Sequence, residues 1–289
     1  MMKKILSITA VSAIMATGAF ASQGANVSVY GGYIDYSGSS VLNSKKVAGI
    51  TINKKINSNK LMMDLKYVYF DTTVVNPHKW DLSAEYSMNN LLPKYQVQIG
   101  GKLTELYYTG DSYSVYTVFG GINEKKPGLF APLKIKSGLK VYYTDISDFI
   151  DDQKLTQVDF NLKKKYKGVL SGDLVLENTL TYQHFSEDNF EGRDSYVSDV
   201  VSAKLIKEKT IYMGHISLGH SSLKIEKDNK YAMDTSSNVH KWGLGGGVAY
   251  KLDKTSKIVA KVRYNRVKSA FGDGNANEMK YVIGYSLSF

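Results

Sequence analysis

The sequence contains no cysteine, and it has only 4 prolines in 289 residues. A chain without cysteine forms no disulfide bonds, so it is not one of the small secreted modules that disulfides hold together. Scarce proline leaves long segments free to pair as strands, because proline removes a hydrogen-bond donor from a sheet. The stability of the fold must therefore come from backbone pairing and burial.

Long apolar runs are also missing beyond the N-terminus, and this excludes an α-helical span of about 18 residues or more. The N-terminus itself has Lys3 and Lys4, then a short apolar stretch over residues 5–20, then Ala19 and Ala21 at cleavage-specifying positions. This pattern predicts a secretory signal peptide over residues 1–21 and one mature domain over residues 22–289. An uncleaved membrane anchor is the less favoured alternative, because serines and threonines interrupt the stretch.

Alternation of apolar and polar residues is the dominant pattern in the remaining chain, and a 3.6-residue period is hard to find. Trp80, Leu82 and Ala84, for example, alternate with Asp81 and Ser83. Its 22 tyrosines also suit the pleated surface of a sheet. The alternation predicts about 14 strands, with 12 to 16 possible. They cover residues 27–36, 47–53, 61–70, 79–88, 95–103, 113–121, 133–143, 156–162, 174–184, 197–205, 211–217, 239–252, 258–266 and 281–289.

The length of these segments, mostly about 10 residues or more, is what a tilted strand needs to cross a bilayer. The connections alternate as well: odd ones are mostly longer and several are acidic, and even ones are mostly shorter and often rich in lysine. Short periplasmic turns and long outer loops give such an asymmetry. Residues 109–112 and 123–132 break the pattern. The fold class expected is all-β, a transmembrane antiparallel up-and-down barrel.

The last nine residues carry a more specific signal. Tyr281, Ile283, Tyr285, Leu287 and Phe289 alternate with Gly284, Ser286 and Ser288, and the chain ends on the phenylalanine. This resembles the C-terminal strand of bacterial outer-membrane β-barrel proteins, and in size and strand number the chain is similar to porins. The resemblance implies insertion by the barrel-assembly machinery, a place in outer-membrane lipid and export through the cleaved signal peptide.

Charged residues dominate the face of the strands that is predicted to point inward. A barrel of 14 strands has a backbone radius on the order of 14 Å, which side chains do not easily fill, so a water-filled path is expected. Basic residues outnumber acidic ones, which indicates a mild preference for anions. Pairing of opposite charges across strands, filling the lumen, is an equally weighted alternative. The candidate lining residues are Lys66, Lys102, Lys134, Lys136, Lys140, Lys261, Arg263, Asp81, Glu85, Asp173 and Glu177.

Passive passage of small polar solutes or ions is thus the function that the sequence favours, without a cofactor, a metal or a reaction. A lipid hydrolase is a minor alternative, because His215 and Ser217 lie two residues apart on one strand face, where a base could activate a hydroxyl. A surface or assembly protein that does not conduct is the third possibility. Nucleic acid is excluded as a partner by the secretory route, despite the net charge of +10.

Overall fold

The computed structural model describes residues 24–37, 42–72, 76–108, 110–146, 154–186, 195–221, 240–268 and 275–289. These residues form a closed antiparallel barrel of 14 strands in up-and-down order. The strands are β1 Ala25–Ser37, β2 Leu42–Ile56, β3 Asn59–Thr72, β4 His78–Met88, β5 Tyr95–Tyr108, β6 Asp111–Glu124, β7 Lys136–Asp145, β8 Lys154–Val169, β9 Gly172–Phe185, β10 Ser195–Lys207, β11 Thr210–Ser221, β12 His240–Lys251, β13 Ser256–Lys268 and β14 Asn275–Ser288. Among them no helix is long and apolar enough to cross a membrane. The predicted signal peptide, residues 1–21, lies outside the described residues.

The barrel closes between the first and last strands. β1 pairs with β14 from Asn26 opposite Ser288 to Ser37 opposite Asn277. The backbone amide of Gly24 donates to the carbonyl of Phe289 at 2.9 Å, so both ends of the described chain lie at one end of the barrel. We call this the terminal end. With every strand paired on both sides, the sheet has no free edge.

Every predicted strand overlaps an observed one, and the predicted fold class is confirmed. The largest difference in a boundary is at the end of β8, which was predicted at residue 162 and lies at Val169. β7 was predicted to start at Leu133. Residues Ala131–Leu133 form a short 3₁₀ helix instead, with Pro132 in its first turn, and Lys134 has φ of 54°. Both features are incompatible with an extended ladder. Lys134 is therefore an exposed residue of a connection at the terminal end, and its predicted place on a strand is wrong.

The connections at the terminal end are short hairpin turns in most cases. β8 and β9, for instance, are joined by Leu170 and Ser171, which both have positive φ values of 49° and 63°. Two successive residues with positive φ match the right-handed twist of the strands that they join. The long connection between β6 and β7, unusual among the predicted turns, holds the 3₁₀ helix.

The outward face of the barrel is apolar over most of its circumference. Side chains more than half exposed include Tyr116, Val118, Ile216, Leu218, Leu244 and Ile283. A continuous exposed surface of this kind indicates an apolar environment around the barrel. Polar pairs interrupt it in places: for example, Nδ2 of Asn178 on β9 donates to Oδ1 of Asp199 on β10. Each of these two polar groups thereby satisfies a neighbour on a face that is otherwise apolar.

Part of the inward face is apolar too, at the end opposite the termini. Ile34, Tyr36, Val68 and Phe70 form a buried cluster inside the barrel, with Val47 and Tyr108 packed against it. The ammonium of Lys45 lies 4.9 Å from the centre of the Phe70 ring and 5.2 Å from that of Tyr36. We call this group the apolar cluster. The alternation predicted an interior lined by polar residues, but apolar side chains line part of it.

Candidate functional site: the barrel interior

One carboxylate collects three lysines on the inner face of β3, β4 and β5. Asp81 on β4 is 3% exposed, and its oxygens lie 2.5 Å from Nζ of Lys66, 3.1 Å from Nζ of Lys102 and 3.7 Å from Nζ of Lys79. The hydroxyl of Thr104 donates to the same carboxylate at 2.6 Å. The register causes this, because Lys66 and Thr104 stand directly opposite Asp81 on the neighbouring strands. The negative charge of Asp81 thus offsets one of the three positive charges around it.

Further ion pairs continue along the same part of the sheet. Lys140 Nζ on β7 lies 2.8 Å from Glu85 on β4. Two pairs between β8 and β9 join Lys163 to Glu177 at 3.5 Å and Lys165 to Asp173 at 2.6 Å. We call the inner face of β3 to β9 the paired wall. Its lysines and carboxylates are close enough to neutralise one another.

The inner face of β10 to β14, which we call the basic wall, has a different composition. Its cations are Lys204 on β10, Lys257, Lys261 and Arg263 on β13, and Lys280 on β14. Glu278 on β14 is the only carboxylate on this face among residues that the structure describes. Basic groups therefore outnumber acidic ones on this side of the lumen.

Neutral side chains form hydrogen bonds with the charged groups Glu278 and Arg263 of the basic wall. Glu278 accepts a hydrogen bond from the hydroxyl of Tyr36 at 2.8 Å and another from the amide of Asn265 at 2.5 Å. Arg263 donates to the side-chain oxygen of Asn265 at 2.8 Å and to the hydroxyl of Ser217 at 3.1 Å. Donors without charge thus contribute to binding the acidic group of this wall.

The described residues enclose two cavities inside the barrel. The larger, of about 660 Å³, lies against the basic wall and is bordered by Lys66, Lys204, Lys257, Lys261, Arg263 and Lys280. The smaller, of about 320 Å³, lies beside the apolar cluster and Lys45. Lys66, Arg263 and Lys280 border both cavities. The larger cavity is within the range of about 300–1,000 Å³ typical of sites for small molecules.

The structure groups the predicted lining residues unevenly. It brings Lys66, Lys102 and Asp81 together, and likewise Lys140 with Glu85. Lys136 is exposed at the first residue of β7, near the terminal end and away from the larger cavity. Lys261 and Arg263 do border that cavity, whereas Asp173 and Glu177 are in ion pairs on β9.

Several interior lysines were not predicted as lining residues. Lys163 and Lys165 were assigned to a turn because residues 163–167 are rich in lysine, but β8 continues to Val169. Lys257 precedes the predicted start of its strand by one residue. Lys204 and Lys280 alternate correctly with apolar neighbours, so the period-two pattern could have found both.

The candidate hydrolase pair faces the interior. Ser217 is fully buried, and its hydroxyl accepts the hydrogen bond from Arg263. Nε2 of His215 is buried and has no hydrogen-bond partner among the described residues. A general base must lie within hydrogen-bond reach of the proton that it removes, and a lipid outside the barrel does not reach an inward serine. This arrangement does not support lipid hydrolysis.

Comparison with known proteins was informative at the level of structure. No protein-family model matches the sequence, and no curated protein matches it by sequence. Among solved structures, the toluene transporter TodX of Pseudomonas putida has a TM-score of 0.53 at 9% identity, covering 95% of this chain and 92% of TodX. Omp33 of Acinetobacter baumannii has a TM-score of 0.50 at 10% identity, covering 92% and 98%. A bacterial polysaccharide outer membrane secretin has a TM-score of 0.51 at 11% identity, covering 92% and 99%.

The chain has the fold of bacterial outer-membrane β-barrels. Because the sequence identities are only 9% to 11%, the structural similarity shows the fold and does not identify a solute. The charged groups and cavities of this barrel must carry the argument about its function.

Proposed function

We propose that this outer-membrane-type barrel resides in a bacterial outer membrane and is a channel for small polar solutes or ions, with a preference for anions. The opposite chemistry of its two faces carries the proposal. Large apolar side chains are exposed outward, while ion pairs, lysines and two cavities lie inside. A closed barrel satisfies its backbone groups internally, and this is the condition for crossing a bilayer with strands.

The anion preference rests on the basic wall. Ion pairs offset part of the positive charge on the paired wall, and the basic wall has an excess of cations beside the larger cavity, so the interior potential is expected to be positive. Charged side chains that line a pore select ions of opposite sign. Anions should therefore be more concentrated in the lumen than cations.

Conductance of the purified barrel in planar bilayers tests both parts of the proposal. In a gradient of potassium chloride, we expect discrete conductance steps and a reversal potential displaced toward the equilibrium potential of chloride. A barrel that inserts without conducting would rule out the channel. A reversal potential on the potassium side would leave the channel and rule out its anion preference.

A channel for apolar solutes is the second candidate, and the apolar cluster favours it. Phe70 and Tyr36 border the smaller cavity, and the solved structure of TodX with this fold is described as a toluene transporter. Toluene binding to the purified barrel, followed by saturation-transfer NMR, tests this candidate. Loss of the transfer in Phe70→Ala would support it, and equal transfer in both proteins would mean that toluene is only dissolved in the surrounding lipid or detergent.

We also propose that the barrel-assembly machinery recognises the terminal strand. Tyr281, Ile283 and Tyr285 are exposed on the outward face of β14, and the amide of Phe289 donates to the carbonyl of Ala25 at the closing seam. Deleting Phe289 should slow insertion in cells and leave periplasmic degradation products. Ser288→Ala, which changes the neighbouring position on the inward face, should insert normally.

A further inference from the structure

Four lysines of the basic wall share the larger cavity without a carboxylate partner. Lys204, Lys257, Lys261 and Lys280 border it, and none has a carboxylate oxygen within 4.0 Å among the described residues. Lys204 and Lys257 repel Lys261, whereas Lys280 is attracted by Glu278 and repelled by Lys66, Arg263 and Lys261. A bound anion would offset the repulsion among the lysines.

Glycines on the strand between them form the floor of this site. Gly243, Gly245 and Gly247 occupy successive inward positions of β12, so this strand projects no side chain into the lumen there. A Cβ atom at Gly245 would lie 2.2 Å from Cε1 of His215, and one at Gly247 would lie 2.8 Å from Cγ of Lys261. The imidazole and the lysine stem therefore lie flat over β12, which leaves the space above them open.

His215 adds an unsatisfied polar atom to the same cavity. Its ring borders the cavity, and Nε2 is buried with no hydrogen-bond partner in the described part of the chain. In the tautomer that carries a proton on Nε2, this atom donates a hydrogen bond. An oxygen of a bound anion would satisfy it, whereas the empty site leaves a buried donor unpaired.

The remaining lining is largely apolar. Val200, Met213, Val259 and Val282 border the cavity beside the lysines. A small inorganic ion would leave these side chains without a contact, but the carbon skeleton of an organic solute would cover them. The lysines stand on three different strands, β10, β13 and β14, so they can hold more than one anionic group of the same molecule.

From these features we infer that the larger cavity binds a small organic dianion that carries two carboxylates. The carboxylates contact Lys204, Lys257, Lys261 and Lys280, and the carbon skeleton lies against the apolar residues above the glycines of β12. The inference rests on the proposed function, since it names the class of solute that an anion-preferring channel would select.

Calorimetric titration of the barrel in lipid nanodiscs with succinate tests the site. We expect succinate to bind at low ionic strength, and we expect acetate and the neutral analogue succinamide to bind at least about tenfold more weakly. Replacing a charged donor weakens a contact by about tenfold, so Lys204→Gln with Lys261→Gln should weaken succinate binding by about a hundredfold. Lys280→Gln alone, a smaller change to the fold, should weaken it by about tenfold.

The matched control removes the same charge from the other wall. Lys163→Gln with Lys165→Gln should leave the affinity for succinate unchanged, because these lysines are in ion pairs on β8 and β9. Equal weakening by both double variants would overturn the site, since a diffuse attraction would then explain the binding. Absence of succinate binding by the unmodified barrel would overturn it as well.

Conductance separates this inference from the channel itself. A barrel that conducts in potassium chloride but does not bind succinate keeps the proposed channel and overturns the site. A barrel that binds succinate without conducting keeps the site and overturns the channel.

Discussion

The two walls of the barrel interior both contain lysines, but they neutralise them differently. On the paired wall, Asp81 contacts three lysines, and Lys140 contacts Glu85. On the basic wall, Lys204 and Lys261 face the cavity without a carboxylate partner among the described residues. The difference separates a wall where lysines contact carboxylates from a wall whose lysines, in the function that we propose, attract an anion.

Carboxylates on both walls are also held by neutral donors. On the paired wall, Asp64 and Asp159 accept hydrogen bonds from threonine hydroxyls at 2.5 and 2.9 Å, and on the basic wall Glu278 accepts them from Tyr36 and Asn265. Neutral donors satisfy a carboxylate without consuming a positive charge. The two walls therefore differ in their lysine–carboxylate contacts and not in the use of neutral donors.

Asp81→Asn should have the largest effect on stability, because it breaks the paired wall at its most buried carboxylate. The substitution leaves Lys66, Lys79 and Lys102 around a neutral amide, and removing one partner of a buried ion pair costs about 3–5 kcal/mol. Urea unfolding of the barrel in lipid vesicles measures the loss. Glu177→Gln is the control: its pair with Lys163 is more exposed, so the expected loss is about 0–1 kcal/mol. Equal losses would show that burial does not distinguish the two pairs.

Charge reversal on the basic wall should have the largest effect on ion selectivity. Lys204→Glu with Lys261→Glu replaces two cations at the larger cavity, so the reversal potential in a potassium chloride gradient should move toward potassium. At 1 M salt the shift should shrink, because the Debye length contracts to about 3 Å. Lys163→Glu with Lys165→Glu changes the net charge equally on the paired wall and should shift the potential less. The same shift from both pairs would mean that the walls are equivalent to a passing ion.

The sequence predicted the number and positions of the strands well, because the alternation of apolar and polar residues shows which face of each strand lies in an apolar environment. It failed where a local feature resembled this pattern. Leu133 and Ile135 extend the alternation of β7 toward the N-terminus, but the 3₁₀ helix that contains Pro132 and the positive φ of Lys134 exclude both from the strand. At β8 the opposite happened, since a run of lysines looked like a turn while Lys163 and Lys165 continued the strand.

The site was less predictable than the fold. Inward facing of Lys66 and Asp81 follows from alternation, but their contact depends on the register between β3 and β4. Lys204 and Lys280 come from strands that three other strands separate in the sheet, and they meet at one cavity because the sheet curves into a barrel. One sequence does not specify which lysines lack a partner until every neighbouring strand has been placed.

Gly245→Ala should have an intermediate effect, and it tests the floor of the basic wall. The added Cβ would lie 2.8 Å from the carbonyl oxygen of Val262 as well as against His215, and the backbone cannot yield easily. Such overpacking costs about 1–3 kcal/mol in urea unfolding, and it should also weaken succinate binding. Gly246→Ala on the same strand is the matched control: Gly246 also borders the cavity, but its Cβ would point outward and lie 3.4 Å from the nearest atom, the carbonyl oxygen of Met213. Comparable losses in both variants would assign the effect to β12 as a strand and not to the cavity.

The smallest effect is expected at the turn between β12 and β13, where neutral donors hold a carboxylate. Oδ1 of Asp253 accepts hydrogen bonds from the amides of Thr255 and Ser256 at 2.6 and 2.7 Å, and the hydroxyls of both residues also donate to the carboxylate.

Because these donors favour the ionised form, they hold the pKa of Asp253 well below its ordinary value. A folded-state pKa below the unfolded value stabilises the barrel above the unfolded pKa, and this contribution is lost as the pH falls toward the folded pKa. Asp253→Asn should therefore lower the urea midpoint slightly at pH 7, and the difference from the unmodified barrel should shrink as the pH falls below about 4. Lys254→Gln in the same turn should show no such pH dependence, and a difference that stays constant down to pH 2 would mean that ionised Asp253 does not stabilise this turn.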